Sequence, residues 1–404
     1  MASNARYRVA VIGRGLIGSA AARHLSLTTG GIVSIGPDEP ADRQATRDVF
    51  GSHYDEGRIF RTLDPDPIWA RLAQRSIGRY AEIEAQSGVS FHREVGMLAV
   101  ALGGAESHVD GYARTGDALG VRFDRLNDAD LARRFPFLSF GAGATGAFEP
   151  SRAGHISPRR LVAAQSVAAE RHGATLIREA AHRVCVQDGG VEITTASGQT
   201  VQAERALVAT GGFANVHEVL PRPLDVEVKG RTVVLAEISD SLLGRLAEMP
   251  SLIVRGNRAL GDPYILPPIR YPDGRHYIKL GTGELGPRLQ TLDELGDWFR
   301  STGGTADRSL LTEAVITIVP DTRGAPIHTD TCVVTATASG HPYVDEVVIG
   351  RLYVAVGGNG KAAKSSDEIG RLAGALALTG TWSDDLPRDV FKVRYLEPAP
   401  VGSR

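Results

Sequence analysis

Gly13-Arg14-Gly15-Leu16-Ile17-Gly18 is a G-x-G-x-x-G run. It follows four apolar residues, Val9 to Ile12, that suit a buried parallel strand, and it opens an alanine-rich stretch that suits a helix. In such a strand–turn–helix, Gly13 permits the tight turn, Gly15 lets the backbone approach a pyrophosphate, and Gly18 lets the helix pack on the strand. The helix N-terminus then faces the anion. The chemistry implied is dinucleotide binding; the alternative is a glycine-rich turn that binds nothing. Arg58 and Arg61, in the run Gly51-Ser52-His53-Tyr54-Asp55-Glu56-Gly57-Arg58-Ile59-Phe60-Arg61, are three apart and would share a face on a helical turn. Two solvated arginines have the same spacing. Cys185 and Cys332 are the two thiols, each by itself compatible with core packing.

These residues need elements to hold them. Gly31 to Ile35 reads as the second strand of a nucleotide-binding sheet, where an acidic residue near the strand end usually bonds the ribose. Gly36 stands there instead, with Asp38 and Glu39 as the nearest acids. Ile68 to Gln86 has the apolar spacing of one amphipathic helix, Asp128 to Phe135 of a short one, and Ser157 to His172 of a third with Pro158 in its first turn. Val184–Val186 and Val191–Thr195 suggest a hairpin. Residues 206–212 read as a later buried strand ending in a glycine turn. From about 225 the alternation over Thr232–Glu237, His276–Leu280 and Thr312–Ile318 predicts a mostly antiparallel sheet, with Leu266-Pro267-Pro268 between two strands. Val347 to Val356 returns to buried-strand character. Gly357-Gly358-Asn359-Gly360 then turns into a helix over Ser366–Thr379. The expected fold is α/β, a discontinuous Rossmann-like domain (residues 1–90, 145–224 and 335–390) with an inserted, mostly antiparallel substrate domain (91–144 and 225–334). A ligand would sit where the two meet.

The chain has 404 residues, ample for a core, and 42% of them are apolar, as in ordinary globular proteins. A net charge of −2 argues against nucleic acid or a membrane surface as the main partner. Two cysteines suit a reducing compartment. The strand pattern begins so close to Met1 that no signal peptide is expected, and the cytoplasm is the default location.

In this order, GRGLIG, GSHYDEGRIFR, ATGGF, IKLGTG, TDTCVVT and GGNGKAAKSSDEIGRLAGALALTG resemble the amine-oxidising flavoproteins of the D-amino-acid oxidase superfamily, above all the monomeric sarcosine oxidase branch. The resemblance runs from Val9 to about Gly380 and makes the dinucleotide FAD. It implies oxidation of a C–N bond in a secondary or primary amine bearing a carboxylate, with hydride passing to FAD and O2 reoxidising it to give H2O2. It also implies a monomer. A flavin dehydrogenase passing electrons to another acceptor is the alternative. In that branch Cys332 stands at the thioether link to the flavin 8-methyl group, where a thiolate is the required nucleophile. Lys279 stands at the lysine over the flavin that activates oxygen, although a strand lysine otherwise faces solvent. Arg61 and Lys364 match the cations that hold the substrate carboxylate, Arg58 a flavin-side arginine, and Tyr264 a pocket tyrosine. The branch has histidine where this chain has Tyr54, Gly283 and Lys361, and a substrate-facing tyrosine where it has Val334. Tyr54 and Lys361 are therefore expected on the substrate side. Lost bulk at 283 and 334 implies a roomier pocket, and a larger N-alkyl or cyclic amino acid, or one with a second acidic group, fits better than sarcosine. Gly13, Gly15, Leu16, Ile17, Gly18, Asp38, Ser52, Arg58, Thr210, Gly211, Cys332, Gly358, Gly360 and Lys361 are the implied FAD contacts. No metal is implied.

Overall fold

The computed structural model describes residues 6–257, 259, 261–283 and 286–397. Tyr7–Ile12 lies at the centre of an eight-stranded sheet, parallel to Thr200–Val208 on one side and to Ile32–Ile35 on the other. One face packs on the helices Leu16–Thr28 and Ser366–Thr379, and the other on apolar side chains of Ile32–Ile35 and residues 181–208. Val9, Val11 and Ile12 are therefore buried, each contributing about 1.5–3 kcal/mol. Thr175–Ile177 closes one edge. The hairpin Ala181–Gln187 and Gly190–Thr195 forms the other. Leu352–Val356 also pairs with Thr200–Val208, and Tyr343–Val348 pairs with it in turn. This sheet thus draws on three separated parts of the chain.

A second eight-stranded sheet runs in the order Ile327–Thr337, Val226–Ile238, His276–Gly281, Tyr264–Arg270, Ser251–Arg255, Met97–Ala101, Thr145–Glu149, Asp124–Leu126. Every pairing is antiparallel except Ser251–Arg255 with Met97–Ala101. The α/β class and the mostly antiparallel second sheet match the sequence expectation. A small sheet of Arg58–Phe60, Gly154–Ile156 and His92–Glu94 lies beside them.

Four local expectations are corrected. Residues 312–318 belong to the helix Thr305–Ile318. Its buried side chains, Leu311, Ala314, Val315 and Ile318, follow the 3–4 spacing of a helix face, which also mimics alternation over a short window. The stretch 68–86 is two helices, Pro67–Ile77 and Tyr80–Ser87, because the first ends at Gly78. Leu266-Pro267-Pro268 lies inside the strand Tyr264–Arg270, at a register shift between Leu266 and Ile269 that spares the prolines a ladder bond. Cys185 is exposed rather than in the core: its strand alternates and it faces outward opposite Glu192.

The helix Leu16–Thr28 crosses the helix Ser366–Thr379 closely enough that a Cβ on Gly370 would lie 2.6 Å from Ala20 Cβ and 2.7 Å from the Ala21 nitrogen. Asp367, fully buried beside this crossing, accepts from Arg23 Nη2 (3.0 Å), Gln165 Nε2 (2.9 Å) and Arg79 Nε (2.6 Å). Burial opposes its ionisation, but His24, Arg79 and Arg23 hold it far below the usual carboxylate range. Asp367→Ala leaves the buried Arg23, and Arg79 beside it, without this acid, and of the described carboxylates Arg23 keeps only the half-exposed Glu82 at 3.4 Å. Denaturant unfolding is expected to show a loss of about 3 kcal/mol.

Candidate functional site

The ends of the first sheet and one face of the second enclose a cavity of about 620 Å3. Tyr7–Ile12 delivers Gly13 to its floor. Gly13 has φ +101°, and a Cβ there would lie 2.4 Å from the Ala209 carbonyl oxygen. On Gly18 it would lie 1.8 Å from the Gly13 oxygen, where helix and turn touch. Gly15, in contrast, meets nothing closer than His53 Nδ1 at 3.9 Å, so its face is open. The helix Leu16–Thr28 has neither a side-chain cap nor an acidic residue in its first turn, which leaves its first amides for an anion. Thr210 Oγ1 and Arg14 Nε, on the same cavity, are buried without a protein partner. Leu16, Ile17, Ser52, Gly211, Gly358 and Gly360 also line it. The donors and the open glycine face fit a dinucleotide pyrophosphate. Asp38 does not line the cavity: its carboxylate meets Arg14 Nη1 at 2.7 Å and Arg178 Nε at 2.9 Å. The acid nearest the second strand's end thus neutralises Arg14.

At the other end three cations gather. Arg61 follows the strand Arg58–Phe60, not a helical turn as its spacing with Arg58 suggested, yet both arginines line the cavity. Lys361 and Lys364 come from the turn that leads into Ser366–Thr379. All three surround Asp64, which is fully buried: Arg61 Nη2 lies 3.2 Å, Lys361 Nζ 3.1 Å and Lys364 Nζ 3.4 Å from its oxygens. Burial opposes the Asp64 charge, but Lys364, Arg61 and Lys361 hold it well below the usual range. Arg61 Nε and Lys364 Nζ remain without an aligned protein acceptor. Glu149, behind Arg61, takes the amides of Thr62 and Leu63, and burial pushes it up to about 7.

Between the two ends, Cys332 lines the cavity from the strand Ile327–Thr337, in register with Arg231, its carbonyl accepting from Trp298 Nε1 at 2.9 Å. Tyr264, Gly283 and Val334 share this wall. Lys279 is completely buried and sits just behind it, its ammonium 5.8 Å from the Tyr264 ring. Its Nζ is bound by the Asp55 carboxylate and donates to the Gly57 carbonyl at 2.9 Å, and Asp55 also meets Arg58. Tyr54 lines the cavity but packs with Phe50, Phe213, Val333 and Phe299, apart from Arg61 and the two lysines; burial raises its hydroxyl to about 12. His53, half-buried between Gly15 and Tyr54, is lowered to about 3 by desolvation and by Arg159, Arg14 and Arg58, which favours the neutral ring.

Asp55, Asp64, His53 and Arg255, all at or behind this cavity, escaped the sequence reading. Asp55 and His53 lie inside the quoted run GSHYDEGRIFR, and Asp64 three residues past Arg61 was the one spacing signal available.

Burial, with Arg61 and Lys361 adding to it, lowers the Lys364 ammonium to about 8 against the pull of Asp64. The cation that attracts an anion is therefore complete below about pH 8 and lost as the pH rises through that value. Acetate affinity measured across this range is expected to fall on the alkaline side, and Lys364→Met should remove that dependence. An unchanged profile in the variant would refute the assignment.

The sequence profile described as FAD dependent oxidoreductase (DAO) matches residues 8–376. The monomeric sarcosine oxidase of Streptomyces avermitilis is 28% identical over 420 residues, covering 98% of this chain and 99% of that protein. Human peroxisomal sarcosine oxidase is 23% identical over 83% of this chain and 84% of its own length. Among solved structures, NikD, an unusual amino acid oxidase essential for nikkomycin biosynthesis, superposes with a TM-score of 0.76 at 18% identity, covering 97% of this chain and 98% of its own. With the glycine cradle, the open helix N-terminus and a profile match over nearly the whole length, the chain belongs to the FAD-dependent oxidoreductase (DAO) family.

Proposed function

We propose that this chain oxidises a C–N bond in a carboxylate-bearing secondary or primary amine, an N-alkyl or cyclic amino acid, and that O2 takes the electrons to give H2O2. One observation carries the reading. Arg61, Lys361 and Lys364 are gathered around one buried carboxylate at one end of a cavity whose other end is a phosphate cradle. The first sheet would carry the cofactor's phosphates, and the second would form the wall beside ring and substrate, while the carboxylate-gripping Arg61, Lys361 and Lys364 come from outside the second sheet. When bound, FAD supplies the two-electron acceptor for the substrate's hydride and the route onward to O2.

The protein's own part is binding, orientation and charge. Gly13, Gly15, Leu16, Ile17, Thr210 and Gly211 would hold the phosphates, and Ser52, Arg58, Gly358, Gly360 and Lys361 the ring end. The Arg61 fork grips the substrate carboxylate, with Lys364 beside it as a compact charge. Their positive field disfavours a protonated amine. The amine therefore binds neutral, keeps the lone pair that expels hydride, and needs no general base. Gly283 and Val334 leave room for a substituent larger than the methyl of sarcosine. Cys332, which already stands in the wall, would tether the flavin. Lys279 and Arg58 against the single Asp55 leave a net positive charge beside Tyr264. That charge favours the anion formed when O2 gains an electron.

A second reading, transfer to an acceptor other than O2, draws support from the tie between Lys279 and Asp55, which keeps that ammonium behind the wall. Stopped-flow reoxidation of the reduced protein separates the two: a rate no faster than free flavin favours the dehydrogenase, and Lys279→Met should slow reoxidation far more than reduction in an oxidase. The mass of the denatured protein is expected to include one FAD on the Cys332 peptide, and Cys332→Ser should release it. Flavin freed from the wild-type chain would reject the tether.

A further inference from the structure

A further cation, apart from the Asp64 group, lines the cavity. Arg255 ends the strand Ser251–Arg255 and lines the same cavity as Arg61, Lys361 and Lys364. Its Nη1 donates to the carbonyls of Val254 (2.8 Å) and Asp262 (2.7 Å), which fix the guanidinium plane without neutralising it. No carboxylate of the described residues reaches it within ion-pair distance. The Asp262 carboxylate, on the same wall, is turned to the Asn257 amide at 2.8 Å. Lys361 and Arg255 also act on one neighbour: His108 is lowered by burial first, then by Arg255, and more weakly by Lys361, with Asp262 opposing.

Charge balance shows what is missing. Arg61, Lys361 and Lys364 share Asp64 as their ion-pair partner, three cations to one carboxylate. Arg255 stands as a further cation that no carboxylate of the described residues pairs. Arg255 and Lys361 are half-buried in the wall, where charge-assisted contacts to a ligand carboxylate are stronger than in open water. Ile59, Ile253 and Tyr264 form an apolar patch of the wall, suited to the carbon chain of a substrate.

We propose that the preferred substrates are dicarboxylic amines, such as iminodiacids and N-alkyl derivatives of acidic amino acids, with the second acid taken by Arg255 and Lys361. The proposal rests on the C–N oxidation read above. It makes Arg255 a specificity-determining residue for that reaction.

The test uses the flavin-loaded enzyme and matched pairs that differ only in the second acid: iminodiacetate against sarcosine, and N-methylaspartate against N-methylalanine. Anaerobic flavin reduction is expected to favour the dicarboxylate of each pair. Arg255→Met should shrink that preference by about tenfold to a hundredfold, the scale of a lost charge-assisted contact, mainly through KM. Arg255→Lys should restore part of it, which a merely structural arginine would not show. Thiodiacetate against (methylthio)acetate repeats the comparison without turnover, because sulfur replaces the amine, and the flavin spectrum reports binding. Equal behaviour of both members of each pair in the wild type, or an unchanged preference in both variants, overturns the proposal. If no amine of either kind reduces the flavin, the C–N reading fails, while the thioether pair still decides whether a second acid is bound.

Discussion

The two ends of the chain are joined by one helix crossing, and the cavity exists because of it. Leu16–Thr28 follows the glycine turn, and Ser366–Thr379 follows the turn that carries Lys361 and Lys364. Gly370 and Gly374 let the two helices touch. Asp367 pairs with Arg23, 344 positions earlier, and with Arg79, so three distant segments meet at one buried acid. An isolated buried carboxylate would be unfavourable. Paired with two arginines and Gln165, it is matched only in this arrangement. The packing of small residues sets the distance between the helices, and the acid sets which segments lie beside them.

The same device recurs inside the cavity. Like charges held close in a dry site repel, and Lys364 is lowered for that reason as well as by burial. Asp64 sits among Arg61, Lys361 and Lys364 and keeps the group from repelling itself apart, while leaving net positive charge and unfilled donors toward the cavity. Asp55 plays the same part between Arg58 and Lys279. Each cation group thus holds more cations than counter-charges, three to one around Asp64 and two to one around Asp55. That shortfall makes it a site for an anion rather than a closed internal salt bridge.

The parts legible in the sequence were those with a strong local period or a strict steric demand. Val9 to Ile12 could be nothing but a buried strand once the glycines followed it, and the steric role read for Gly13 and Gly18 is the one their contacts require. The hairpin over 181–195 and the helix over 366–379 were legible for the same reason. Residues 312–318 were not, because a short run of spaced apolar residues fits either period until its length is known. Arg61, Lys364 and Cys332 came from resemblance to a family, and all three stand in the cavity wall, with Lys279 immediately behind it. Asp55, Asp64 and Arg255 had no such pointer. Their meaning lies in contacts between segments far apart in the chain, and a lone acid or arginine carries no sign of its partner.

The two sheets hold their parts of the site by different physical means. The phosphate cradle depends on backbone geometry: a positive φ at Gly13, helix amides, and contacts too close for any side chain. Few substitutions are tolerated there. The opposite wall is made of side chains projecting from strands whose ladders do not involve them. Tyr264, Val334 and Arg255 can each change without altering the pairing of Ser251–Arg255, Tyr264–Arg270 or Ile327–Thr337. Selection acting on substrate therefore has free positions on the second sheet and almost none on the first.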